Sequence, residues 1–211
     1  MLLGSPYGFP KVWQTVGFMS SWLLYFPGIL FIMLLTNEFN FKTHRQNIID
    51  GWTRKQFVTV KFMFAVLFSL VATFFNSLVA LLFGFLSTGS HFSFNGFENV
   101  GYIFIQTIAY LSFAMFLAVL FRKSGAAIAV FFLYGLIFEW LITVLINFKL
   151  HLTPLGYFLP LQVTDVMLPI PFGNKVIYKD APEIWVLVIA SLAYIAGYYF
   201  FALKKFTKED L

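Results

Sequence analysis

The chain has 211 residues, 60% of them hydrophobic and only 11% charged, with a formal net charge of +5 and no cysteine. A water-facing globular surface needs roughly 25% charged residues, so this composition excludes an ordinary soluble domain and makes lipid part of the solvent. The lack of cysteine excludes disulfides, thiolate metal sites and cysteine nucleophiles.

Residues 1–16 hold Pro6 and Pro10, and Lys11 is misplaced for the basic region of a leader, so no cleavable leader is expected here. Five apolar runs are then long enough to cross a hydrocarbon core about 30 Å thick. They are placed at 17–35, 62–86, 102–121, 125–146 and 184–203. Their continuous apolarity, without the alternation of a membrane barrel, predicts an all-α polytopic helix bundle forming one domain over 1–211. Pro27 predicts a kink in the first span.

Between the first two spans lies a polar, basic segment, 37–56. Phe41, Ile48, Ile49 and Trp52 fall on one helical face, with Lys42, His44, Arg45 and Asn47 elsewhere. Asp50-Gly51 reads as a helix stop, and Thr53 with Gln56 has the form of a capping box that starts the next membrane helix. Two readings stay open: an interfacial helix that anchors the spans, or a docking surface for a partner.

The second span carries a small and polar stripe of Ser69, Thr73, Asn76, Ser77, Ala80 and Gly84. In the fourth, Glu139 sits near the middle of the membrane, where a charge costs several kcal/mol. Gly135, Glu139, Thr143 and Asn147 recur every four residues, which turns the carboxyl toward the bundle interior. Asn76, Glu139 and Thr143 are candidates for an intramembrane polar path, and interhelical hydrogen bonding is the competing role. The connection 148–183 is rich in proline yet still apolar. It predicts short helices lying in or dipping into the outer interface, with Tyr157 and Phe158 at headgroup depth. Ala193 and Gly197 form a small-xxx-small pair in the last span.

Basic residues set the orientation. Lys42, Arg45, Arg54, Lys55, Lys61, Arg122, Lys123, Lys204, Lys205 and Lys208 all fall on one side, against Lys11, Lys149, Lys175 and Lys179 on the other. The first side is expected to be cytoplasmic, which puts the N-terminus outside and the C-terminus inside.

One pattern carries a family resemblance. Glu38, Lys42-Thr43, Arg45-Gln46-Asn47-Ile48-Ile49, Gly51-Trp52-Thr53-Arg54, Phe57 and Lys61 together resemble the cytoplasmic segment of permease subunits of type-2 ABC (ATP-binding cassette) exporters. The run Tyr157-Phe158-Leu159-Pro160-Leu161 resembles that family's aromatic-Leu-Pro element. The tail, with Lys204-Lys205-Phe206 and Glu209-Asp210-Leu211, resembles its basic-then-acidic ending.

The resemblance implies a membrane subunit of the bacterial cytoplasmic membrane that is not itself an enzyme. It implies a separate ABC ATP-binding subunit that binds ATP and Mg, and a second permease subunit, identical or not. The coupling helix would run through Glu38, Lys42, Arg45, Gln46, Ile49, Trp52 and Arg54. If the aromatic-rich spans line the path, the cargo would be amphipathic or hydrophobic. No G-x-x-x-x-G-K-[ST] phosphate loop occurs in the chain, in keeping with that division of labour. The family has six spans with the N-terminus inside, and five are counted here. The expectation is that a first span precedes Met1 in a longer reading frame.

The rival classes are weaker. His44, His91 and His151 are not at metal-ligand spacing, and Asp165 and Asp180 both fall in the external connection, which argues against an intramembrane enzyme. A channel or structural subunit is the alternative, though no selectivity motif or arginine array is present. The basic residues line the membrane face and suit anionic lipid, so no nucleic acid is expected as a partner.

Overall fold

Leu24 is where the first span breaks, and proline is the reason. In this computed structural model, which describes residues 6–87, 89, 91–171 and 180–208 (the Arg45 and Lys208 side chains excepted), the span consists of α1 (Val12–Leu23) and α2 (Tyr25–Asn40). Pro27 has no N–H to give to the carbonyl of Leu23, and its ring presses on that carbonyl. The Leu24 amide turns instead to Ser21 O at 3.2 Å. The helical ladder is thus interrupted three residues before Pro27, where a kink was expected. The span runs further both ways than 17–35, because Val12 and Trp13 are buried at one end and α2 continues through Glu38 at the other.

A short helix, α3 (Thr43–Ile49), follows after Lys42, whose backbone is left-handed at φ 55°. Gly51, at φ 104°, then turns the chain in a conformation that L side chains resist. The capping box forms as read. Thr53 Oγ1 accepts from Gln56 N at 3.2 Å, and Thr53 N donates to Gln56 Oε1 at 2.8 Å. It starts α4 (Arg54–Leu86), so the helix begins well before the apolar stretch at 62. Thr53→Ala should cost about 1 kcal/mol. The expected result is a lower thermal midpoint in detergent, with a much smaller drop for Thr53→Ser, which keeps the capping hydroxyl.

The third span, α5 (Glu98–Phe121), is the hub. It packs against α1, α2, α4 and the two spans that follow. Of its most apolar stretch 72% is buried, against 17–33% for the other four spans. Those four instead turn large apolar side chains outward, such as Met63, Leu67, Phe74 and Leu82 on α4. So much exposed apolar surface is stable only against lipid.

The fourth span starts as α6 (Ser124–Leu133) and passes through a π-helical turn, Tyr134–Phe138. It continues as α7 (Glu139–Val144) and closes on a second π turn, Leu145–Lys149. Beyond it the chain folds back into the bundle. A 3-10 turn (Leu155–Phe158) and the single turn α8 (Gln162–Asp165) lie against α5, α7 and the last span, α9 (Ile184–Lys208). Leu161, Val163 and Thr164 are fully buried. Tyr157, expected at headgroup depth, is buried too. It packs with Val163, Val166, Met167 and Leu187, because the segment sinks between the helices instead of lying over them. Lys175, Lys179 and the acidic tail 209–211 lie outside the described residues. No strand occurs among the described residues.

Candidate functional site

At the basic end of the bundle, the segment expected to couple divides into an anchored part and an exposed part. Glu38 faces inward and forms an ion pair with Lys61 of α4. Its backbone carbonyl meets His44 Nδ1 at 2.9 Å and accepts from Thr43 Oγ1 at 3.4 Å, which fixes α3 to the end of α2. Ile48 packs on the core, and Phe39 and His44 contact the ring of Phe206 on α9. Arg54 Nη1 donates to Thr207 O at 3.0 Å, and Lys205 Nζ donates to Leu120 O at 3.1 Å. Phe41 and Ile49, by contrast, are 77% and 76% exposed, with Trp52 at 42%. Lys42 and Gln46 are exposed as well, and Gln46 Nε2 donates to Asp50 Oδ1 at 3.0 Å. Arg45 lies on α3 with its side chain outside the described residues. The single apolar face expected of Phe41, Ile48, Ile49 and Trp52 is therefore split, since only Ile48 turns to the core.

The four-residue stripe of the fourth span acts as a clasp on the folded-back segment. Glu139 is 1% exposed, and its Oε1 accepts from the amides of Leu161 (2.7 Å) and Gln162 (3.1 Å). Thr143 Oγ1 donates to Gly156 O at 3.2 Å, and Gly156 N donates to Asn147 Oδ1 at 2.8 Å. Gly135 leaves room for Tyr25 and Leu161; a Cβ there would lie 2.8 Å from the Tyr25 hydroxyl. These contacts satisfy buried backbone groups that would otherwise cost about 1–3 kcal/mol each. Asn76 is not part of this group. Its Nδ2 bonds Ser20 Oγ on α1, and the stripe on α4 to which it belongs faces α1, with Gly84 taking the ring of Phe9. Asn76 therefore ties the first two spans together, while Glu139 and Thr143 hold the connection after the fourth.

A second polar group was not anticipated. Ser21 Oγ donates to Gln106 Oε1 at 2.7 Å, and Gln106 Nε2 donates to Asp165 Oδ1 at 2.8 Å. Tyr110 OH donates to the same Asp165 oxygen at 2.8 Å. Gln106 and Tyr110 lie eight and twelve residues into α5, so Asp165 is about 12–18 Å below the end of that helix. An aspartate expected in an external connection thus sits inside the bundle, level with the middle of α5. The signal that points to it is Gln106 itself, since an amide within an apolar span needs a partner. The chain bends around a cavity of about 310 Å³ at this point, which Asp165 lines. Among the described residues no group of three or more His, Asp or Glu is placed to hold a metal ion.

The helix order and the apolar outer surface define an all-helical, multi-pass membrane protein. Residues 6–211 match the family described as "Protein of unknown function (DUF2705)", and the chain belongs to that family. No curated protein and no solved structure gives a match.

Proposed function

We propose that this chain is the permease subunit of an ABC exporter in the bacterial cytoplasmic membrane, with the α3 end facing the cytoplasm. A separate ABC ATP-binding subunit holds ATP and Mg, and a second permease subunit completes the assembly. The observation that carries this reading is α3. Gln46 and Ile49 on it, with Phe41 and Trp52 flanking it, face outward, while Thr43 and His44 bond the end of α2, His44 meets Phe206 of α9, and the pairs Glu38–Lys61 and Arg54–Thr207 join α2, α4 and α9 beneath it. A partner pressing on the exposed face would move three spans together. The basic residues of this end supply the orientation, and the likeness of 38–61 to the coupling segment of type-2 exporters supplies the partner.

The test is co-purification in mild detergent with the ABC ATPase encoded beside the gene. The wild type is expected to hold the ATPase. Ile49→Glu with Trp52→Glu should lose it at unchanged thermal midpoint, because both side chains are exposed. Glu38→Gln should keep the complex, since Glu38 faces inward. A wild type that holds no such ATPase would overturn the proposal and move the chain to a channel-like or structural role.

A further inference from the structure

The cavity lies between the first and fourth spans. They meet closely at Gly28, where a built Cβ would fall 2.4 Å from Phe131 Cζ. Further along, Trp22 of α1 and Trp140 of α7 both line the cavity, and they are 56% and 59% exposed. Each is nine or ten residues from its end of the span, about 14–15 Å in. Tryptophans that serve only as membrane anchors sit at the headgroups. These two lie well inside their helices and flank an opening.

The chemistry inside is one-sided. Asp165 Oδ1 takes both Gln106 and Tyr110, and Oδ2 has no hydrogen bond among the described residues. No lysine, arginine or histidine occurs among the described residues that line the cavity. Two donors converging on one oxygen suit a carboxylate, which only accepts. A negative charge beside the rings of Tyr25, Trp22 and Trp140 attracts an organic cation, through the ring faces as well as the charge. Ser21 and Gln162 add neutral polar groups, and Phe18, Leu136 and Leu168 add apolar wall, so the cation must carry a hydrocarbon part. The volume is at the lower end of ligand sites, roughly 300–1,000 Å³. It holds a head and the first few carbons and leaves the rest in lipid.

We propose that this cavity binds the ammonium head of a cationic amphiphile entering from the bilayer between Trp22 and Trp140, with Asp165 as the counter-charge. The site deepens the permease reading by naming a class of cargo, and it depends on that reading only in calling the ligand a cargo.

The experiment is equilibrium dialysis of the full chain in dodecyl maltoside against radiolabelled benzyltrimethylammonium, with benzenesulfonate as an anion of similar size. Saturable binding of the cation and none of the anion are expected. Asp165→Asn, which keeps the shape, should weaken binding at least tenfold. Leu136→Trp, which fills the cavity without touching the polar group, should abolish it. Binding that is unchanged in both variants, or equal binding of benzenesulfonate, would overturn the site. Should Asp165→Asn fail to fold, Leu136→Trp alone decides, and full binding by that variant overturns the site. The two proposals separate cleanly. Cation binding without an ATPase partner would leave the site standing and remove the permease role. An ATPase complex that binds no cation would do the reverse.

Discussion

Glu139→Ala should be among the most damaging single substitutions in the protein, and Glu139→Gln much milder. The alanine leaves the amides of Leu161 and Gln162 buried without an acceptor. At about 1–3 kcal/mol for each such group, the loss sums to about 2–6 kcal/mol. Glutamine keeps a carbonyl oxygen at the same reach and should cost about 1 kcal/mol. The measurements are thermal unfolding in detergent and protease cleavage between 150 and 171. The alanine variant is expected to be cut quickly and the glutamine variant slowly. Equal damage from the two would mean that the charge of Glu139, and not its acceptor, matters.

The second large effect is expected at Gly28. Phe131 is fully buried among Tyr25, Tyr110 and Phe113, so its ring has nowhere to go when a methyl group arrives 2.4 Å away. Gly28→Ala should therefore cost about 1–3 kcal/mol through overpacking. Phe131→Leu removes the obstructing ring edge and is itself destabilising. The two changes touch the same contact, so they should not add. The double variant is expected to be more stable than the sum of the singles by about 1 kcal/mol or more. Additive losses in a thermal-unfolding cycle would show that spans one and four do not rely on this contact.

The spans were legible because each is a long apolar run, and the start of α4 was legible from Thr53 and Gln56. Hydropathy set the ends less well. The first span was expected at 17–35 and runs Val12–Asn40, because polar residues near its ends find partners: Thr15 Oγ1 bonds Pro6 O, and Glu38 pairs with Lys61. The four-residue stripe was visible, but what holds it in line was not. In an α-helix a step of four overshoots a full turn by about 40°, so four such positions would fan out by about 120°. The π turns at Tyr134–Phe138 and Leu145–Lys149 take an extra residue per turn and recover that drift. Glu139, Thr143 and Asn147 can then grip one segment. The Ser21–Gln106–Asp165–Tyr110 group was hidden for a different reason. Its hydrogen-bonded pairs are 55–85 residues apart in the chain, and Asp165 reads as a loop residue until the loop is seen to turn inward.

The burial of α5 bears on how the protein is made. Ser21 is synthesised before Gln106, and Asp165 only after a further span has been threaded. When the third helix leaves the translocon, its amide has one of its two partners in place and must wait for the other. The most enclosed helix is therefore inserted before the contacts that enclose it exist. Chains ending at residue 121 or at 171, each followed by a linker long enough to span the ribosomal tunnel before the stall, would sample the protein on either side of that wait.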